Sequence, residues 1–516
     1  MVDVPLEIPE RSGEVLLVPR GVDLLEVARE NRHRLAAEDV LLGGVPLRDL
    51  RRQAREEILT MARAYTTALG AGSVPQGELL LGTGHQPVFP HPGIWVKYLL
   101  LDRLAARGHI GLAVIVDSDA MEEAGVDVPS QHASFLQVAR EVLRTAAAEE
   151  PYEGQGAPTA TEWSDFLQRI DRHVRSLEGD ALRRPWEAFR AFPPPAVWDY
   201  AAFVTALRRR YEGPRRYLDV PLSAAAESVA FRAFFLHIAA HAAPFLEIHN
   251  AHLRAYRERQ RIRTEAQPFP DLQREGELIE LPFWTLAGGR RRRLFLDQRR
   301  RTLLAADGGR EGEWPLPSHP ADPLFGPLRL RPRALTLTAF LRVLVVDLFI
   351  HGVSGGRYDR VTDAVIADFF RIVPPQYAVA SATLHLPLGE ATEPEATRRF
   401  LQRMLLQARH NPERLLTAPT AQQETLIARK WHLIRRLEEG GLTRRERRAT
   451  TQAIRALNAQ LCAALADRVA MWEERLRALE RQSGLPDAAT YRGYPYFLHE
   501  PEQVDALVTR MLEGGA

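Results

Sequence analysis

The stretch Gly82-Thr-Gly-His-Gln-Pro-Val-Phe-Pro-His-Pro-Gly-Ile-Trp-Val-Lys97 gathers residue types that bind anions and move protons. Gly82 and Gly84 let backbone amides approach a ligand, with Thr83 between them, and a loop that enters a helix presents free amides and a positive dipole end. His85 reads as a general acid or base near neutral pH, and Gln86 and His91 can orient oxygens or nitrogens. Lys97 should lie about one turn into the helix that follows Gly93. It is one of only two lysines, because 66 of the 68 basic residues are arginine. Arginine here would have followed the bias of the chain, so the position reads as one that requires an ammonium, a compact charge that can lose its proton when desolvated. The spacing is not that of a Walker phosphate loop.

Two further clusters carry candidate chemistry. Gly111-Leu-Ala-Val-Ile-Val-Asp-Ser-Asp119 reads as a buried strand ending in two carboxylates. Asp117 and Asp119 could hold a cation, a sugar hydroxyl or a substrate amine, or cap a helix; Glu122 and Glu123 read as surface helix residues. The segment His351-Gly-Val-Ser-Gly-Gly-Arg-Tyr358 reads as an anion-cradling loop, with Gly352, Gly355 and Gly356 supplying flexibility and Ser354, Arg357 and Tyr358 supplying donors. The candidate catalytic residues are therefore His85, Lys97, Asp117 and Asp119. The candidate ligand-binding set is Gly82, Thr83, Gly84, Gln86, His91, Gly93, Arg331, His351, Gly352, Ser354, Gly355, Gly356, Arg357 and Tyr358. His237, His241, His249 and His252 lack a defined third metal ligand and read as packed or solvated.

The elements that must position these groups follow from hydrophobic periodicity. Residues 1–75 read as a helical segment, and 76–130 as strand, loop, helix, strand, the opening βαβ unit of a Rossmann-like parallel sheet. Both early clusters then fall beyond the carboxyl ends of strands, where open sheets bind ligands. Residues 131–260 read as a mostly helical connector and 261–390 as the second part of the core. Leu457, Leu461, Leu465, Val469 and Trp472 recur at helical steps within 391–485, after a turn at Gly440-Gly441. That segment reads as an antiparallel coiled-coil arm and as a homodimer interface. Residues 486–516 form a tail.

Composition narrows the class. With 516 residues, 45% hydrophobic and 26% charged, the chain is long enough for several globular domains. A formal net charge of +2 gives no general field for nucleic acid. Arg290–Arg293 and Arg299–Arg301 flank Leu294-Phe-Leu-Asp297 and read as turns of a solvated hairpin, with nucleic acid or a phosphate-rich ligand as the alternative. Cys462 is the single cysteine, which excludes an internal disulfide. The amino terminus lacks signal-peptide character and no apolar stretch is of membrane length, so the expectation is a cytoplasmic protein with a small-molecule substrate.

Thr83-Gly-His-Gln-Pro, then Pro92-Gly93 and Lys97, resembles the Thr-Gly-Gln-Gln-Pro, Gly-Gly-Pro and Lys signature of the bacillithiol-synthesis cysteine-adding enzymes. Asp117-Ser-Asp119, Arg331-Pro332, the glycine loop ending in Tyr358, and Phe369-Phe370 before Pro374-Pro375 follow in the order of that family. His85 stands where the family has glutamine, and the Gly356-Arg357 neighbourhood replaces an expected glutamate. A shorter likeness, confined to His85-Gln-Pro through Lys97, is to the WbqC-like proteins of surface-polysaccharide synthesis. The first resemblance implies a Rossmann-like core, a nucleotide-sized pocket and an amide-forming ligase or transferase; the cofactor stays open, with ATP, ADP or Mg as candidates. Such an enzyme joins an amine or a cysteine-like amino acid to a small, sugar-derived or nucleotide-bearing acceptor. The alternative is a non-catalytic module that binds a nucleotide-like ligand and uses the coiled coil as its interaction arm.

Overall fold

The apolar runs around Leu80 and Leu112 become adjacent parallel strands because side chains on both of their faces are buried, as in a sheet covered on both sides. The computed structural model describes residues 6–20, 23–71, 76–132, 135–177, 180, 182–262, 269–306, 312–388, 394–439, 443–481 and 488–514. Six strands form the main sheet: β1 (Val15–Val18), β2 (Leu80–His85), β3 (Ile110–Ile115), β4 (Tyr217–Pro221), β5 (Leu348–His351) and β6 (Ala378–Ala382). Their spatial order is β1-β6-β5-β2-β3-β4, all parallel except β1, which joins β6 antiparallel. The chain runs outward from β2 through β3 to β4 and later returns to lay β5 on the other side of β2. The order therefore reverses between β2 and β5, which opens a crevice at their carboxyl ends.

Three helices show how the sequence builds the walls. In α1 (Leu24–Ala37) the Asp23 carboxylate caps the first turn. In α2 (Leu47–Ala68), Leu47, Leu50, Ala54, Ile58 and Ala62 recur every three or four residues and are all buried. Replacing Ile58 by alanine there should cost about 2–5 kcal/mol. The helix α3 (Pro92–Ala105) is buried almost all round, and its start is set by Pro92 in the first turn and by His91, whose Nδ1 accepts from the Gly93 amide at 3.1 Å.

The segment 131–260 is less helical than its periodicity suggests. Phe135–Thr145 pairs with Glu123–His132 in a long antiparallel hairpin, so Glu123 lies in a strand and not in a helix. Arg140 reaches across this hairpin to Glu123 and Asp127, and the buried Trp163, Phe166, Ile170 and Val174 of the helix Ala160–Ser176 lie on the other side of that helix from its polar face. The strand β4 also comes from this segment. Its burial on both faces erased the alternation that would have revealed it.

A second, antiparallel sheet contains Leu278–Ala287, Arg290–Asp297, Thr302–Ala305, Glu313–Pro315 and Leu330–Pro332. Arg290–Arg293 lie within a strand of this sheet, not in a turn. After it come a π-helical turn at Leu341–Val345, β5, and α4 (Val353–Asp368).

The chain divides into two units, one formed by Met1–Pro387 with Tyr491–Ala516 and the other by Leu388–Thr490. The first unit takes back the end of the chain, which contributes the helix Pro501–Leu512. The second unit contains the helices Pro394–His410, Ala421–Glu438, Arg444–Ala463 and Ala466–Arg481. The long second arm thus breaks after Ala463, and the Gly440-Gly441 turn lies outside the described residues. Lys430 is 1% exposed in this unit, its ammonium held by both Glu413 oxygens at 2.8 and 3.0 Å and by the His410 carbonyl at 3.0 Å.

Candidate active site at the sheet edge

A cleft of about 490 Å³ opens at the reversal point between β2 and β5. Twelve of the residues singled out from sequence line it: Gly84, His85, Gln86, His91, Gly93, Lys97, Asp119, His351, Gly352, Ser354, Gly355 and Tyr358. The parallel register explains why they meet, since Gly84 and His85 pair with Val114 and Ile115 while Thr83 pairs with Ile350. Three strand ends therefore deliver their following loops to one edge.

Six expected residues lie elsewhere. Gly82 packs beside Val346, and Gly356 beside Val379. The Thr83 hydroxyl donates to the Ile350 carbonyl at 2.8 Å and ties β2 to β5. Arg331 is closed off by Glu153, through two bonds of 2.8 Å, and by Glu227 at 3.0 Å. Arg357 donates to the Leu6 carbonyl. Asp117 turns from the cleft and accepts from the Ser223 amide at 2.8 Å and from the Ser223 hydroxyl. Burial outweighs these bonds and pushes its carboxyl up to about 7.

The presumed glycine loop is the first turn of α4. Gly352 stands at its N-cap with no capping side chain, and Val353, Ser354 and Gly355 line the cleft. The amides of this turn and the positive end of the helix dipole therefore face the ligand space.

Lys97 is 2% exposed and its Nζ donates to the Gly84 carbonyl at 3.0 Å. No carboxylate pairs with it among the described residues. Burial lowers it to about 8. His85 is lowered to about 3 by burial and then by the Lys97 charge, and His91 to about 3 by burial, Arg492 and Lys97. Burial and the neighbouring cations thus favour the neutral form of both imidazoles.

Four cleft residues were not singled out as site residues by the motifs: Arg291, Arg333, Arg492 and Trp284. Arg291 pairs with Asp119 at 2.6 Å and Glu149 at 3.0 Å, and Arg333 with Glu280. Both guanidiniums flank the Trp284 ring, at 5.0 and 4.3 Å from its centroid. Gln86 also donates to Asp119 at 2.9 Å, and Arg291 balances the charge of this carboxylate, the only acidic residue lining the cleft among the described residues. Arg492 donates to Ser381 at 3.2 Å and the Ala382 carbonyl at 2.9 Å, with no carboxylate partner among the described residues. A Cβ at position 93 would stand 2.7 Å from the Ala382 carbonyl, so Gly93 makes room for this corner. The aromatic run Tyr491-Arg-Gly-Tyr-Pro-Tyr496 was the signal that could have marked Arg492.

Among the described residues, the cleft cations Lys97 and Arg492 thus lack a counter-charge, while Arg291 and Arg333 have theirs. No protein-family model matches the chain, and no curated protein matches it. Among the described residues, no single helix is long and apolar enough to cross a membrane.

Proposed function

We propose that the chain is an amide-forming ligase or transferase that holds an anionic small molecule in the cleft and joins an amine to it. The observation that carries this reading is the buried, unpaired Lys97. A desolvated cation without a partner costs several kcal/mol, and a ligand carboxylate or phosphate that meets it recovers much of that cost. Arg492 adds a second cation, and the first turn of α4 adds amide donors. The cleft volume is that of a small-molecule site.

The bond-forming chemistry comes from the resemblance to the bacillithiol-synthesis cysteine-adding enzymes, as does the proposal of a Rossmann-like core. Lys97 and Arg492 suit the phosphates of ATP or ADP, which when bound would supply an activating phosphoryl group. Magnesium does not fit as a protein-held ion. Asp119 is the only carboxylate lining the cleft among the described residues, and Arg291 already neutralises it.

In the second unit Phe400, Leu406, Trp431 and Met471 are exposed, and a coiled-coil homodimer through these helices would cover them. Mass spectrometry of ligands retained by natively purified protein, followed by incubation with amines and candidate acyl donors with and without ATP, tests the function. Release of a condensed product supports the enzyme. A retained ligand with no turnover supports the binding module instead.

A further inference from the structure

We infer that His351, aligned by Asp359, is the catalytic proton acceptor for the attacking amine. This inference rests on the amide-forming reading above. His351 ends β5 and lines the cleft. Its Nε2 lies 2.9 Å from Asp359 Oδ2, and Asp359 is completely buried. Arg342, on the π-helical turn, holds the same Asp359 oxygen at 2.6 Å and also meets Asp363. Burial alone would raise the Asp359 carboxyl, but the Arg342 charge beside it, more than any other group, holds it below the ordinary carboxylate range. The aspartate is therefore an anion; its contact with Nε2 is an approach at ion-pair distance outside hydrogen-bond geometry, and a lone pair on that nitrogen would be repelled by the carboxylate, so the proton belongs there.

The opposite ring nitrogen faces the first turn of α4. A Cβ at position 355 would stand 2.9 Å from His351 Nδ1, so the glycine keeps this nitrogen uncovered. The rings of Phe349 and Tyr377, at 4.6 and 5.1 Å, confine the imidazole. Arg342 bridges Asp359 and Asp363, while Gly355 leaves the other imidazole nitrogen open. What the histidine adds is a lone pair on the cleft wall.

The step balances without an external acid or base. The amine lone pair forms the C–N bond to an acyl carbon carried on oxygen, in an ester or acyl phosphate, and an N–H proton passes to His351 Nδ1. As the C–O bond breaks, that proton is returned to the departing oxygen, which leaves with the electron pair. The products are an amide and a hydroxyl compound, and the dyad ends as it began. Asp359 acts as a positioning residue and touches no substrate.

The test uses the full chain treated with diethyl pyrocarbonate. Its tryptic peptide Val343–Arg357 contains His351 as its only histidine, so mass spectrometry reads this site alone. The expected result is rapid carbethoxylation of His351 in the wild type, slowed in Asp359→Asn and blocked in Gly355→Ala, both variants still melting cooperatively and Asp359→Asn at a lower temperature because Arg342 loses a partner. An unreactive His351, or reactivity indifferent to Gly355→Ala, overturns the inference. Sulfate binding by the wild type is measured in parallel by calorimetry. If sulfate fails to bind the wild type, the reading of the cleft fails, and carbethoxylation still decides the dyad. With a condensing wild type, His351→Gln should lower kcat by about a hundredfold or more with KM little changed. An unchanged kcat would also overturn it.

Discussion

Lys97 Nζ lies 3.0 Å from the Gly84 carbonyl oxygen, a single hydrogen bond for a buried ammonium that has three donors. The other lysine, Lys430, is equally buried but has Glu413 and the His410 carbonyl around it. Both survive in an arginine-biased chain, and only one is left with something to bind.

Removing the charge at position 97 should stabilise the ligand-free protein. The folded value, about 8, lies below the ordinary 10.5, so the buried ammonium opposes folding at every pH below 8. The penalty is about 3 kcal/mol, and it fades as pH rises from the folded value to the unfolded one. Lys97→Met should therefore melt higher than wild type at neutral pH, with the gap closing in alkali, as thermal denaturation will show.

The opposite sign is expected at Lys430. Lys430→Met leaves the Glu413 carboxylate buried without its partner, a loss of about 3–5 kcal/mol. Calorimetric melting should show a destabilised helical unit, with sulfate affinity unaffected.

Asp117 carries its own pH dependence. Burial raises its carboxyl from 3.8 to about 7, so the folded state favours the protonated form. Its contribution is fully present below the unfolded value and is lost as pH rises through the folded value. Asp117→Asn keeps a donor towards Ser223 and resembles the protonated state. Its stability relative to wild type should climb by about 4 kcal/mol from acid to mildly alkaline pH; a flat difference would remove Asp117 from the acid–base account.

His85 should be silent as a proton carrier. With its imidazole held near 3, His85→Gln and wild type should show parallel sulfate affinities between about pH 5 and 8. Divergence across that range would restore it as an acid or base.

Much of the cleft was legible because parallel strands give a simple signal. Short apolar runs followed by glycine, histidine and aspartate located the strand ends that deliver Gly84, His85, Asp119 and His351. The rest depended on long-range geometry. Arg331 and Arg333 look equivalent in sequence, yet Glu153 and Glu227 consume the first while the second stands at the start of the next helix and reaches the cleft. Asp117 and Asp119 are two residues apart, but the tight turn between them sends one towards Ser223 and the other towards Arg291. Glycines at 352, 355 and 356 suggested a flexible loop, whereas two of them are tolerated within a helix because its neighbours leave no room for a Cβ. Arg492 arrives from more than a hundred residues beyond β6, a distance over which local patterning carries no information.

The most direct measurement is a calorimetric titration of inorganic sulfate into the full-length protein and into Lys97→Met at neutral pH. An anion site built on Lys97 predicts binding to the wild type that weakens by about tenfold or more, at least 1.4 kcal/mol, in the variant. Equal affinity in the two proteins, or no binding to the wild type, would contradict it.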